Sequence, residues 1–391
     1  MTQPKANENW GTPPWKIEFE APAAPIPASS NLVVIGGGFT GLAAAAAAWL
    51  RRLAPGKSVV LLEASRIGAG ASGRTGGIVL AETAAGDLPG LGDVLAGFQE
   101  ILRELEVDCG LELGGAWEIA RGGAPSKAPR AGSPIDWNDS GRLRVVNEVP
   151  GGTLDPGKLV SGLARAAVRA GAVILENCPV QNVRWAERIE IEFGGDGGGA
   201  RKVSAEKVLF ATNALSLDLA ALAGKAEPRL TLAALTAPIT GAQIEAIGLA
   251  QRKPFYTVDL PYLWGRLRRD NSIVWGAGLV NAPDGRDLET IDIGSAEPAA
   301  LFARLEQRVR GLHPAIASIE FTHRWGGPIL FRDNWRPVFS WHPRCAPGNP
   351  NAIVLGAYAG HGVALSSYLA AWAAESLLGR RALPSWGSIG G

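Results

Sequence analysis

The stretch VVIGGGFTGLAAAAAAWL, residues 33–50, restricts the possible folds more than any other part of the chain. An apolar run, NLVVIG at 31–36, ends in glycines, and Leu42, Ala46, Trp49 and Leu53 then recur at helical spacing. A second apolar run, SVVLLEA at 58–64, follows a helix exit at APGK and completes a strand–helix–strand unit. Gly36, Gly38 and Gly41 satisfy GxGxxG at the junction of the first strand and the helix. In that context the first glycine permits the tight turn, the second lets backbone approach a pyrophosphate, and the third lets helix and sheet pack closely. Glu63 ends the second strand, where a carboxylate accepts ribose hydroxyls and repels a 2'-phosphate. The chain therefore reads as a dinucleotide binder, and the motif alone does not choose between NAD and FAD.

Composition removes other classes. Lys plus Arg number 38 and Asp plus Glu 37, so no basic field exists to hold a nucleic-acid backbone. Cys109, Cys178 and Cys345 lie far apart, which fits a reducing compartment and neither a disulfide framework nor a zinc site. The four histidines show no ligand spacing, so no metal is expected. Neither a secretory signal nor a membrane-length apolar run is found, and a cytoplasmic protein is expected.

Further along, Val94, Leu95, Phe98, Ile101, Leu102 and Leu105 mark an amphipathic helix, and LELGGAWEIA reads as strand with a glycine break. The Gly/Pro/Ser-rich segment 121–142 is expected to be an exposed loop. LDPGKLVSGLARAAVRAGA opens a helix at Asp-Pro; a strand, AVILENC, and a glycine-tipped hairpin, IEIEFGGDGGGARKV, follow. Residues 207–214, KVLFATNA, form a short buried strand, and 228–280 alternate apolar and polar as an antiparallel sheet would. Leu301, Phe302, Leu305, Val309 and Leu312 mark another helix; the chain closes with strand NAIVLGAY, turn AGHG and helix VALSSYLAAWAAESLL. No internal repeat is seen. Residues 21–30, APAAPIPASS, read as a Pro/Ala leader running over the surface.

After Glu63 comes IGAGASGRTGG at 67–77, a second loop rich in glycine and donors where a simple NAD domain would begin another helix. The blocks VVIGGGFTGL, LLEASRIGAGASGRTGG, GGTLDPGKLVSGLARAA, LFATNA, and HRWGG with GAYAGHGVALSS stand in this order. Together they resemble the FAD-dependent D-amino-acid-oxidase-like (DAO) superfamily over residues 30–380, with motifs most similar to its glutamylputrescine-oxidoreductase-like members. The resemblance implies an α/β fold: a Rossmann-like FAD-binding domain interleaved with a mixed, largely antiparallel β-sheet substrate domain. Residues 31–85, 151–225 and 325–391 would form the former, 86–150 and 226–324 the latter, and 1–30 an N-terminal leader.

The same resemblance implies which residues hold FAD. Gly36, Gly38, Phe39, Thr40 and Gly41 would take the pyrophosphate, Glu63 and Ala64 the adenosine ribose, and Val180 the adenine through its backbone. Ala71, Ser72, Gly73, Arg74, Thr75, Gly76 and Gly77 would take phosphates and flavin, with Thr212 and Asn213 lining the cleft. Gly360, His361, Gly362 and Val363 would stand by the isoalloxazine, where a helix N-terminus favours the negative charge of the reduced ring. Cys345 does not match the position of a covalent flavin link in relatives, so noncovalent FAD is expected.

The implied reaction oxidises a primary or secondary amine or amino acid by hydride transfer to flavin N5, and the imine then hydrolyses. No GxSxG elbow is present and no protein nucleophile is required. Tyr262, Trp264 and Arg266 alternate on one expected strand as an aromatic wall with a carboxylate-binding guanidinium; Trp325, Tyr358 and His361 complete the substrate-binding candidates. Each is also readable as an ordinary core or surface residue. Three departures from relatives stand out: Thr75 replaces a frequent Asn, Ala364 replaces a basic residue of sarcosine-oxidase-like members, and Val274 replaces their oxygen-activating lysine. The electron acceptor is thus O2 or another molecule. Oxidation of a hydroxy acid or carrier-bound amine, a non-catalytic flavoprotein subunit and a lone NAD domain are the alternatives.

Overall fold

The run at 31–36 becomes a central strand because both of its faces find apolar cover. The structure, a computed structural model, describes residues 9–46, 58–122, 132–194, 199–281 and 288–389. Its elements begin with β1 (Ser29–Ile35), α1 (Phe39–Ala45), β2 (Val59–Leu62), β3 (Ile78–Leu80), α2 (Val94–Glu104) and β4 (Ala116–Arg121). Next come β5 (Asp136–Asn138), β6 (Arg142–Val149), β7 (Gly151–Thr153), α3 (Pro156–Arg169), β8 (Val173–Leu175), β9 (Val180–Arg184), β10 (Ile189–Phe193) and β11 (Arg201–Phe210). The second half holds β12 (Glu227–Thr236), α4 (Gly241–Ala246), β13 (Phe255–Thr257), β14 (Trp264–Leu267), β15 (Ile273–Asn281) and α5 (Ala296–Leu312). It closes with β16 (Phe321–Phe331), β17 (Val338–Trp341), β18 (Ala352–Gly356) and α6 (Gly362–Leu377).

The first sheet runs β17-β18-β11-β1-β2-β8, with the β9–β10 hairpin attached antiparallel to β11. From β18 to β8 all neighbours are parallel. Alternation sorts β1 in two: Leu32 and Val34 face the helices α1, α3 and α6, while Val33 and Ile35 face the β9–β11 side. Helix α3 starts where Pro156 occupies its first turn and the Asp155 carboxylate accepts from the Lys158 amide at 3.0 Å. Helix α6 is apolar nearly all round and correspondingly buried.

The second sheet runs β16-β12-β15-β14-β13-β4-β6-β5 and is antiparallel except at β13–β4. One face, carrying Trp117, Ile119, Phe255, Leu267 and Trp275, packs on Leu305, Val309 and Leu312 of α5. The opposite face, with Trp264 and Trp325, looks toward the loop at 67–77 and Trp15. A short β3–β7 pair links the two. This is the expected α/β architecture with a parallel nucleotide-type sheet and a largely antiparallel companion. No helix among the described residues is long and apolar enough to cross a membrane.

Three sequence expectations need adjustment. Segment 121–142 is not wholly an exposed loop: Asp136–Asn138 form β5 on β6, and Ile135 and Trp137 are completely buried, because Trp137 packs on Phe255 and Trp275. Trp49 and Leu53, expected on the first helix, lie outside the described residues. Strand β16 continues to Phe331 within the second sheet, so the expected boundary at 325 falls inside a strand.

Residues 9–20 add something absent from the sequence reading. Trp10 is fully buried, its carbonyl accepts from the Gly326 amide, and the Asn9 carbonyl accepts from the Ile293 amide. The Trp15 indole donates to the Gly73 carbonyl at 2.6 Å, and the Glu18 amide donates to Ser161 Oγ. Residues 9–18 are thus tied to β16, the second glycine loop and α3 before β1 begins.

Candidate active site

Four parallel strands end side by side, β1 at Ile35, β2 at Leu62, β11 at Phe210 and β18 at Gly356, and Gly36, Glu63, Ala211 and Ala357 follow them. Ligands of open α/β sheets bind beyond such carboxyl ends. Gly36 has φ +112°, and a Cβ there would stand 2.6 Å from the Ala211 carbonyl oxygen; one on Gly41 would stand 1.8 Å from the Gly36 oxygen. Both glycines are therefore demanded by packing. Gly38 caps α1 with no side-chain hydrogen bond, and a Cβ on it would meet Ser72 Oγ at 2.8 Å.

Glu63 is held beside this turn. Its carboxylate accepts from the Gly37 amide at 2.7 Å and the Ser65 amide at 2.9 Å. Burial pushes its pKa up, opposed by the hydrogen bonds from Ser65 and Gly37. The Glu63 carbonyl accepts from the Cys178 amide, which brings Val180, at the start of β9, to the same end of the sheet. Ala64 follows directly, and its amide also lies on the Glu63 carboxylate.

The second glycine loop closes onto the first turn, since the Phe39 amide donates to Ser72 Oγ at 2.8 Å. Arg74 points the other way. Its guanidinium donates to the carbonyls of Ala69, Trp10, Gly11 and Gly326, and burial lowers its pKa to about 10. The Arg74 side chain thus pins the start of the chain to β16, while the Trp325 indole donates to the Arg74 carbonyl. The Ala71 carbonyl accepts from the Arg74 amide and Thr75 Oγ1 from the Gly77 amide, so the loop turns on itself.

Above the loop lies one row of cross-strand partners. Asn147, Glu118, Tyr256, Trp264, Gly276, Ala233 and Trp325 pair in register from β6 to β16, so they share a face. That face meets the loop: a Cβ on Gly76 would lie 2.3 Å from the Trp264 ring, and one on Gly77 would lie 2.9 Å from Arg266 Nη2. Tyr256 Oη donates to Glu82 Oε1 at 2.6 Å, and Asn147 Nδ2 donates to Glu118 Oε2 at 2.9 Å. Burial and the two carboxylates push the Tyr256 phenol far above its ordinary range, so it stays protonated.

The closing turn reaches the same place. Tyr358 Oη and Thr40 Oγ1 lie 2.7 Å apart, and Asn213, at φ +48°, accepts from the Ala357 amide through its side chain. A Cβ on Gly362 would touch the Tyr358 side chain, and Gly360 has φ +89°. His361 precedes α6, whose next residues are Gly362 and Val363; burial lowers its pKa while the Glu82 charge opposes that.

The residues suit FAD on structural grounds. The strand-end glycines leave no room for side chains, Glu63 is buried and pre-oriented, and Thr212 Oγ1, just past the end of β11, is buried with no hydrogen-bond partner. An unsatisfied hydroxyl at a strand end is what a ligand polar group would complete.

The structure separates the substrate-binding candidates. Trp264 and Arg266 do share the face over the loop. Tyr262 does not: it precedes β14, is 52% exposed, and its carbonyl accepts from Arg308. Trp325 has no exposed surface and stacks edge-on against Trp15, so it positions the loop and cannot touch a substrate. Tyr358 is buried against Thr40. Sequence reasoning missed Tyr256, Glu82 and Glu118; FYTVDL does carry Tyr256 at an outward alternation, but its carboxylate neighbours come from elsewhere, Glu118 from β4 and Glu82 from just past β3.

A model of the FAD dependent oxidoreductase family, DAO, matches residues 31–376. A probable oxidoreductase of Rhizobium meliloti, OrdL, is 27% identical, with 92% of this chain and 86% of that one covered. The gamma-glutamylputrescine oxidoreductase of Escherichia coli is 25% identical over 89% and 84% of the two chains. Among solved structures, glycine oxidase from Geobacillus kaustophilus has a TM-score of 0.66 at 19% identity, covering 91% of this chain and 96% of that one. L-proline dehydrogenase from P. horikoshii has 0.68 at 18%, covering 93% and 98%. With the strand-end glycines, the buried acid and a family match along most of its length, the chain belongs to the DAO family of FAD-dependent oxidoreductases.

Proposed function

We propose that this flavoenzyme oxidises a primary or secondary amine or an amino acid. The supporting observation is the sheet face over the glycine loop, where Trp264 covers Gly76 and the Tyr256–Glu82 pair stands beside Glu118. Bound FAD would accept a hydride from the carbon beside nitrogen, and the imine would then hydrolyse. Gly36, Gly38, Gly41, Ser72 and Glu63 would hold its nucleotide half, and Thr212, Asn213 and the 360–363 turn its flavin half, without a covalent link. Glu82 and Glu118 attract an ammonium group toward the loop, and Trp264 offers an aromatic surface to it. Tyr256, kept protonated, holds the Glu82 carboxylate in place. The names of two relatives, a glutamylputrescine oxidoreductase and a glycine oxidase, support an amine or amino acid.

The same reading makes 31–85, 151–225 and the stretch after β16 the FAD-binding domain, with 86–150 and the β12–β16 region forming the substrate domain. Electrons would leave to O2 or to another acceptor. The test is anaerobic bleaching of the flavin absorbance by polyamines, D- and L-amino acids, N-methyl amino acids and hydroxy acids. Bleaching by one amine class is the expected result, and readmitted air then distinguishes oxidase from dehydrogenase. Bleaching by hydroxy acids alone, or by none of them, would overturn the reading in favour of a hydroxy-acid enzyme, a carrier-bound amine or a partner subunit.

A further inference from the structure

Two stretches that form neither helix nor strand meet in this fold: a strap at residues 9–18 and the glycine loop at 67–77. Ile17 packs on the loop, since a Cβ on Gly68 would stand 2.7 Å from Ile17 Cδ1 and one on Gly73 would stand 2.9 Å from it. The Trp15 indole donates to the Gly73 carbonyl, and the Trp10 and Gly11 carbonyls accept from the Arg74 guanidinium at 3.2 and 2.9 Å. One residue earlier, Ser72 Oγ accepts from the Phe39 amide at the start of α1. Neighbouring loop residues therefore serve two partners, Ser72 the nucleotide turn and Gly73 the strap. Irregular backbone of this kind is ordered at an entropic cost that its contacts must offset.

The strap is also fastened away from the loop. On α3, Ser161 Oγ accepts from the Glu18 amide and Arg165 Nη1 donates to the Glu18 carbonyl, each at 2.8 Å. The Lys16 carbonyl lies so near the same helix that a Cβ on Gly157 would stand 2.1 Å from it. At the other end the Trp10 indole donates to the Leu288 carbonyl at 3.3 Å, and Gly11 bridges to Trp325. Ser161 and Arg165 make no hydrogen bond or ion pair to the loop among the described residues. The strap can thus be loosened at α3 with its bonds to the loop untouched. It also lies outside the stretch that the DAO model matches, which begins at Asn31.

We propose that residues 9–18 are a latch on the cofactor, because strap docking and FAD binding order the same loop and are coupled through it. This rests on the assignment of Ser72 and its loop to FAD. Coupling of two binding events is reciprocal, so a docked strap slows FAD release and bound FAD holds the strap down. Each partner meets a loop that the other has already ordered.

The test follows FAD release from the holo protein by flavin fluorescence, together with the rate at which trypsin cuts after Lys16, an exposed side chain. Ser161→Ala combined with Arg165→Ala frees Glu18 from α3 and should speed FAD release by about fivefold or more. The cut after Lys16 should quicken with it, while cuts elsewhere keep their rates; a general loss of stability would speed them all. Arg165 is exposed, so Arg165→Ala alone, expected to speed release by about threefold, serves if the double variant does not fold. In the wild type, saturating FAD should slow the Lys16 cut by about fivefold or more relative to FAD-depleted protein. Unchanged FAD release in the α3 variants, a uniform rise in all cuts, or a Lys16 cut indifferent to FAD would overturn the latch. Ser72→Asp keeps an acceptor for the Phe39 amide but sets a negative charge against the phosphates, and should weaken FAD binding by about tenfold or more. Unchanged FAD binding in that variant would remove the loop from the FAD site and the latch with it. Weakened binding there, with the α3 variants silent, would sink the latch alone.

Discussion

Two buried arginines flank the same glycine loop and are treated in opposite ways. Arg74, within the loop, has its guanidinium hydrogen-bonded to four backbone carbonyls at 2.9–3.2 Å, drawn from the start of the chain, the loop itself and β16. Arg266, reaching the loop from β14, forms no ion pair within 4.0 Å among the described residues and leaves Nε unsatisfied, with only the more distant charges of Asp155, Asp270 and Glu112 to favour it. Both are about equally hidden from solvent, so burial alone does not distinguish a structural cation from a functional one. What distinguishes them is completion. A satisfied cation is part of the scaffold, whereas an unsatisfied one carries a desolvation cost that the rest of the fold does not offset.

Removing Arg74 gives the largest expected effect. Arg74→Met strands several buried carbonyls and should lower unfolding free energy by about 3–5 kcal/mol, read by denaturant melts of the holo protein. A loss below about 1 kcal/mol would break the assignment of Arg74 to the scaffold.

His342 sharpens the contrast because it is a buried base able to shed its charge. Stacked on Trp185 and near Phe210, it has its pKa lowered to about 4, chiefly by burial. Above the ordinary value of 6.5 both folded and unfolded chains hold it neutral and its contribution is constant. As pH falls from 6.5 toward 4 the unfolded chain binds the proton first, so stability declines, by at most about 3 kcal/mol from this group. His342→Phe should flatten that part of the pH–stability curve relative to the wild type.

A smaller change follows from Trp15→Phe, which keeps the ring against Trp325 but deletes the donor to the Gly73 carbonyl. About 1–2 kcal/mol should be lost, with weaker FAD retention, because that bond ties the start of the chain to the loop. The smallest effect is expected at Arg266. In the absence of ligand, Arg266→Met should change unfolding free energy by less than about 1 kcal/mol or raise it, since the lost packing is offset by removal of an unpaired buried charge. A loss as large as that for Arg74 would erase the distinction between the two.

Much of the nucleotide side was legible in the chain. Gly41 is dictated by its contact with the Gly36 carbonyl five positions earlier, and Gly36 by a φ of +112° at the turn, so local spacing carries the information even though Ala211 of a distant strand also closes on Gly36. Glu63 needs only the strand that it terminates. The expectation that 121–142 is a loop overlooked Trp137, because glycine and proline density reports backbone propensity but not the aromatic partners Phe255 and Trp275 more than a hundred positions away. Tyr262 was grouped with Trp264 and Arg266 by alternation, yet the strand begins only at Trp264, after the Leu260–Pro261 bend.

By itself, the sequence determined that the chain builds a strand–turn–helix unit for a dinucleotide, follows it with a second glycine loop, and places an acid at the end of the second strand. These depend on periodicity, glycine stereochemistry and short separations. Only the tertiary structure decided that Asn147, Glu118, Tyr256 and Trp264 form one row, that Trp10 and Trp15 brace the loop, and that Arg74 is completed while Arg266 is not. Those outcomes depend on strand register and on which carbonyls or carboxylates arrive from distant segments, and no local pattern encodes the absence of a partner.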